Sequence, residues 1–191
     1  MKQNFSLHNA HHSDLELMNF IKDVYVTSFP PEERREFSQL LALLQEETPF
    51  RVKVIRKGGE AIGFITYWNF DSYAYVEHFA LHPEKRGGGA GAFTLQELGE
   101  TLDMPIILEV EKPEDEMSVR RISFYERAGF RLWDNHRYIQ PPYDPQKEEL
   151  ELLLMTQGDL NLDSDFEEVV APIYKYVYKA EPKHYFAKLG R

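Results

Sequence analysis

The sequence predicts a mixed α/β fold: a twisted, mostly antiparallel sheet flanked by helices on both faces. Three observations lead there. Arg51-Val-Lys-Val-Ile-Arg56 alternates as a strand, Gly58-Gly59 turns the chain, and Ala61 to Trp68 returns, which is a hairpin. Ile106-Ile-Leu-Glu-Val-Glu111 is a near-continuous apolar run of the kind buried on both faces. Around these strands, Leu17, Phe20, Ile21 and Val24, and later Phe37, Leu40, Leu41 and Leu44, recur at helical spacing.

The elements follow in order. Ser13 with Glu16 reads as a capping box opening a helix over 14–27. Pro30-Pro31 breaks that pattern, and a second helix is expected over 32–46. After the hairpin come a strand over 74–81, a helix over 91–101 and the strand at 106–111. A helix over 118–128 stops at Gly129, a glycine where a helix end needs a left-handed residue. Two last strands, 130–133 and 149–156, are joined by a proline-rich loop over 136–147. Beyond Gly158, an amphipathic helix over 163–179 is interrupted by Pro172. This gives one domain over 1–158 and a helical extension over 159–191. The extension either packs on that domain, covers an acceptor or makes a homodimer.

Composition narrows the class. With 191 residues, 42% hydrophobic and 14% aromatic, the chain can bury one good core. No cysteine is present, so disulfides and Cys-ligated metal centres are excluded. A net charge of −10 argues against a nucleic-acid partner, which needs basic surface, and suits a cationic one. There is no apolar run long enough for a membrane span and no signal-type apolar stretch at the start, so a cytoplasmic protein is expected.

The densest chemical signal lies between His78 and Ala92. An apolar strand runs into Arg86-Gly87-Gly88-Gly89-Ala90-Gly91 and then directly into a helix. Glycines there leave backbone N–H groups uncovered, and a helix N-terminus adds partial positive charge, so the turn suits a phosphate or pyrophosphate. A Walker loop would need Lys-Ser/Thr after Gly91, where Ala92-Phe93 stands, so a nucleotide-phosphate enzyme is disfavoured. The glycine spacing also misses the dinucleotide pattern.

What fits is Arg86-x-x-Gly89-x-Gly91 with Leu81-x-Pro83 upstream. This resembles the coenzyme A pyrophosphate loop of the GNAT superfamily of N-acetyltransferases. Downstream, Ile106 to Glu111, then Arg121 to Arg131 with Tyr125-x-x-x-Gly129-Phe130, resembles the fifth strand, next helix and following turn of the same superfamily. The matches span roughly 50–135. The superfamily's Asn-x-x-Ala-x-x-x-Tyr pattern is broken, with Ser118 and Arg121 in place of Asn and Ala.

The resemblance implies a GNAT-like acyl-CoA N-acyltransferase fold and direct acetyl transfer from acetyl-CoA to a primary amine, small-molecule or protein, without a metal. The coenzyme would be held by Phe79, Ala80 and Leu81 on the strand, by Arg86, Gly87, Gly88, Gly89, Ala90, Gly91 and Ala92 in the loop, and by Ser118 and Tyr125. Tyr125 would also protonate the departing thiolate, or else serve only in packing. Glu77 would be the base, with His78 and His82 as rivals and a merely exposed carboxylate as the alternative. Strict alternation groups Glu77 with Tyr75, Phe79 and Leu81, where an apolar neighbour would raise its pKa. A bulge would shift that parity. Phe29, Tyr138, Gln140 and Tyr143 are the candidates to border the acceptor, unless their segments are rigid connectors. A non-catalytic acyl-CoA-binding module and a longer acyl donor remain open alternatives.

Overall fold

Alternating strands and amphipathic helices condense into two compact units, Met1–Met104 and Pro105–Arg191. The computed structural model describes residues 4–46 and 49–189. The expected segments' termini, 1–3 and 190–191, lie outside the described residues.

In the first unit, β1 (Phe5–Asn9), β2 (Phe50–Lys57), β3 (Glu60–Asn69) and β4 (Ala74–Leu81) pair antiparallel in that order. The hairpin is as expected, with Gly58 and Gly59 both at positive φ in its turn. Strand β1 is absent from the sequence reading; its Phe5 and Leu7 alternate over only five residues, too short a signal by itself.

Helix α1 (Leu15–Ser28) packs on the face that carries Phe64 and His78, through Tyr25. Its cap is Asp14 rather than Ser13, because the Asp14 carboxylate accepts the Leu17 N–H at 3.0 Å. Helix α2 (Phe37–Gln45) starts five residues later than expected. Pro31 to Glu33 form a 3-10 turn instead, and a box between Glu36 and Gln39 opens the helix. Helix α3 (Ala90–Leu102) lies against the opposite face, where Ala90 meets Ile55, Ile62, Phe79 and Leu81, and Phe93 meets Phe5.

In the second unit, β5 (Ile106–Val110), β6 (Arg131–Gln140) and β7 (Leu150–Gln157) pair antiparallel, with β7 in the middle. Helix α4 (Glu116–Arg127) is capped by Asp115 and closed at Gly129, φ +89°. Strand β6 extends into what the sequence reads as loop. Between the pairs Trp133↔Leu154 and Tyr138↔Leu152, residues 134–137 face the single residue Leu153, an excess of three, and the strand resumes through Gln140.

After Gly158, helix α5 (Leu162–Pro172) passes into a π-helical turn over Ile173–Val177, and helix α6 (Pro182–Lys188) follows. Pro172 has no N–H to continue the ladder, and the chain widens to an i→i+5 bond from Tyr178 N–H to the Ile173 carbonyl, 3.4 Å. The fold is therefore mixed α/β, with antiparallel pairing and flanking helices.

Candidate active site

The glycine loop is built as the sequence implies. Strand β4 ends at Leu81, Pro83–Lys85 form one 3-10 turn, and α3 begins at Ala90. Gly87 (φ +82°) and Gly89 (φ +81°) are left-handed, and Gly89 is the helix N-cap. A Cβ built on either would meet no atom within 4 Å, so backbone conformation and open space, not packing, require glycine there. Among the described residues, no side chain caps the 13-residue helix α3. Among the described residues, no protein acceptor takes the N–H groups of Gly87 to Ala92. Arg86 Nε donates to the Leu81 carbonyl at 3.2 Å, which ties the loop to the strand end.

Gly63 is a signal the sequence reading passed over. A Cβ there would lie 2.4 Å from the Ala80 carbonyl oxygen and 2.7 Å from Leu81 Cδ2. Only glycine lets β3 approach β4 where the strand enters the loop.

Glu77 occupies a bulge. Thr66 pairs with His78 and Tyr67 with Val76, so Glu77 is an extra residue on β4. The expected grouping with Phe79 and Leu81 is therefore corrected. Its carboxylate turns to the α1 face, where Oε1 meets the Arg35 guanidinium and Oε2 accepts from Trp68 Nε1 at 2.8 Å. The expected rise in pKa is corrected too. Burial pushes the group upward, but Arg35, His78 and the two hydrogen bonds outweigh it and hold the carboxyl below its ordinary range. Arg35 and Trp68 carried no sequence motif; only the bulge brings them to Glu77.

His78 sits beside this pair, its side chain between Tyr25 and Phe29, with ring centroids 4.9 and 4.8 Å away. Its Nε2 is 3.1 Å from the Glu33 carbonyl. Burial lowers its pKa to about 4, so it is neutral near pH 7 and a poor proton acceptor. Phe29 thus packs at the end of α1 against His78, half-buried.

In the second unit, Tyr125 is buried on α4, edge-on to Phe130 at 5.6 Å. Burial pushes its phenol up to about 12, partly opposed by Arg121, so it keeps its proton at neutral pH. Ser118 is the third residue of α4. It closes the capping box with Asp115 and is itself buried.

Tyr138 and Gln140 are strand residues, fully buried rather than on a loop. Tyr138 donates to Glu109 Oε1, and Gln140 Nε2 is buried with no partner among the described residues. Tyr143 is half-buried, with its ring 5.1 Å from that of Tyr178. Among the described residues, no group of three or more His, Asp or Glu is placed to hold a metal ion, and no helix is long and apolar enough to cross a membrane.

A sequence model of the acetyltransferase (GNAT) family matches residues 15–130, more than half of the chain. A solved structure from Bacteroides thetaiotaomicron assigned to the same family is 41% identical, covers 92% of this chain and 99% of its own, and superposes with a TM-score of 0.87. The chain belongs to the GNAT acetyltransferase family.

More distant acetyltransferase structures share the fold. The ribosomal-protein-S18-alanine N-acetyltransferase from Escherichia coli is 18% identical, with a TM-score of 0.58, over 80% of this chain and 92% of its own. An aminoglycoside 6'-N-acetyltransferase complexed with coenzyme A is 11% identical, with a TM-score of 0.60, over 82% and 98%. None of the curated proteins matches this GNAT chain by sequence. The GNAT model takes in the glycine loop, Glu77 and Tyr125; the 41% identical structure extends the likeness over most of the chain.

Proposed function

We propose that this chain transfers an acetyl group from acetyl-CoA to a primary amine by direct attack, with both substrates bound together. The observation that carries the reading is the strand–glycine–helix loop. Left-handed Gly87 and Gly89, the space open above them among the described residues, and N–H groups at the head of α3 with no acceptor there fit a pyrophosphate. Acetyl-CoA supplies the activated thioester carbonyl. Phe79, Ala80 and Leu81 offer the strand along which its pantetheine arm lies, and Arg86, Gly88, Ala90, Gly91 and Ala92 complete the cradle.

Each protein group then has one task. Tyr125, protonated at neutral pH, donates to the departing sulfur, and Ser118 supports the coenzyme from the head of α4. Glu77 enters as the base. It is ionised at neutral pH, and a proton it accepts competes with Arg35 on one oxygen and Trp68 on the other. Phe29, Tyr138, Gln140 and Tyr143 are assigned to the acceptor. The catalytic domain is read as 1–158, with 159–191 as an extension, in a cytoplasmic protein.

A second reading is a coenzyme-binding module without catalysis. The Glu77–Arg35 pair favours it, because a buried carboxylate held on both oxygens is also what a purely structural ion pair looks like.

Calorimetric titration with acetyl-CoA, beside a Gly89→Glu variant, tests the reading. Binding in the parent that is lost in the variant supports the loop assignment, and thiol release with amines then separates enzyme from module. The cysteine-free chain adds no background to that assay. A folded protein that binds no acetyl-CoA at millimolar concentration overturns the proposal.

A further inference from the structure

Tyr125 has to release a proton from surroundings that resist it. Its ring is buried against Phe130, and it stands in the last turn of α4, where the negative end of the helix dipole opposes a phenolate. When the phenol protonates a thiolate, the O–H bond breaks, an S–H bond forms, and the electron pair stays on the phenol oxygen. That negative charge needs a partner, and apolar neighbours supply none.

Arg121 lies one turn earlier on α4, at the i, i+4 spacing. Helical side chains lean toward the helix N-terminus, so the Tyr125 ring lies back over the turn that carries Arg121. The guanidinium is held in place. Its Nη1 donates to Glu111, the residue after β5, and it also acts on Asp115 at the helix cap. Arg120, the next residue, turns to Glu116 on its own helix instead. Among the described residues, Arg121 is the charged group that acts on the Tyr125 phenol, and it favours the ionised form against burial. The superfamily pattern carries alanine at this position, so the pattern by itself does not provide the cation.

We propose that Arg121, held by Glu111, is a positioning residue that stabilises the phenolate which Tyr125 becomes on protonating the departing thiolate. The Arg121 and Glu111 side chains are half-exposed, at 44% and 41%, so as a surface salt bridge the pair contributes little to stability. Its effect falls on the buried phenol, where a neighbouring charge is screened less.

This inference rests on the reading of Tyr125 as proton donor, but its first measurement needs no turnover. A fluorotyrosine placed at position 125 alone reports its own ionisation by fluorine NMR, and the fluorine makes the phenol a stronger acid. Its titration midpoint is expected to rise in Arg121→Gln and to stay at the parent's value in Arg121→Lys, which keeps the charge. Arg120→Gln, the same loss of charge one residue away, should leave it in place. With tyrosine at 125, Arg121→Gln should lower kcat for thiol release from acetyl-CoA about threefold or more, with acetyl-CoA affinity unchanged. The fluorotyrosine should restore most of that loss. A midpoint that does not move in Arg121→Gln overturns the proposal, as does a loss of kcat that the stronger acid fails to restore. Weaker acetyl-CoA binding with an unmoved midpoint would assign Arg121 to the coenzyme instead. If the midpoint rises but Tyr125→Phe turns over as the parent does, the proton-donor reading fails while the coupling of Arg121 to Tyr125 stands.

Discussion

Arg35 and Glu77 form a buried ion pair that ties the bulge in β4 to the segment entering α2. Both side chains are withdrawn from water, at 7% and 0% exposure, so neither charge has bulk solvent to fall back on. Arg35→Ala should cost about 3–5 kcal/mol in denaturant unfolding, because it leaves Glu77 buried and unpaired. A cost near zero would show that water reaches the carboxylate.

The same pair sets the acid side of stability. The folded pKa of Glu77 is depressed, so its contribution is complete above the ordinary glutamate value and is lost as pH falls through the lower folded one. Glu77→Gln should flatten that acid limb of the melting temperature. If Glu77 is the base, the variant should also lower kcat by about 10²–10⁴; unchanged turnover in a folded variant would assign the residue to structure.

His78 acts in a window above that one. Its pKa falls from the ordinary 6.5 to about 4 on folding, so the unfolded chain binds the proton more readily. Stability is complete above about pH 6.5 and is lost between there and about pH 4, by an amount on the order of 3 kcal/mol. His78→Gln should remove most of this slope in thermal melts run across that range. An identical slope would place the titration elsewhere.

Tyr125 keeps its proton because burial raises its pKa to about 12. Tyr125→Phe keeps the ring against Phe130 and deletes the hydroxyl. As proton donor its loss should lower kcat by about 10²-fold or more, with acetyl-CoA affinity little changed. Turnover within about twofold of the parent would return the residue to a packing role.

Gly63 should tolerate no side chain. Gly63→Ala would drive a methyl into the Ala80 carbonyl, 2.4 Å away, and should cost at least about 1–3 kcal/mol in chemical denaturation. Because the clash lies where β4 enters the glycine loop, acetyl-CoA affinity should fall as well. Parent-like stability would mean that β3 and β4 separate there without cost.

Local chemistry by itself determined much of this protein. The glycines at 87 and 89, the hairpin at Gly58-Gly59, the helix stop at Gly129 and the apolar strand at 106–110 are each dictated by neighbours a few residues away. The order of the glycine-loop and Tyr-x-x-x-Gly-Phe motifs along the chain points to the family by itself. The side-chain surroundings of the candidate site were not legible, for a physical reason. A bulge at Glu77 and three excess residues before Tyr138 shift strand parity, and parity is a property of pairing between strands, not of one strand. Only tertiary structure could turn Glu77 toward Arg35 and Trp68, sink Tyr138 and Gln140 into the core, and bring Tyr138 and Tyr178 onto Glu109 from segments 29 and 69 residues away.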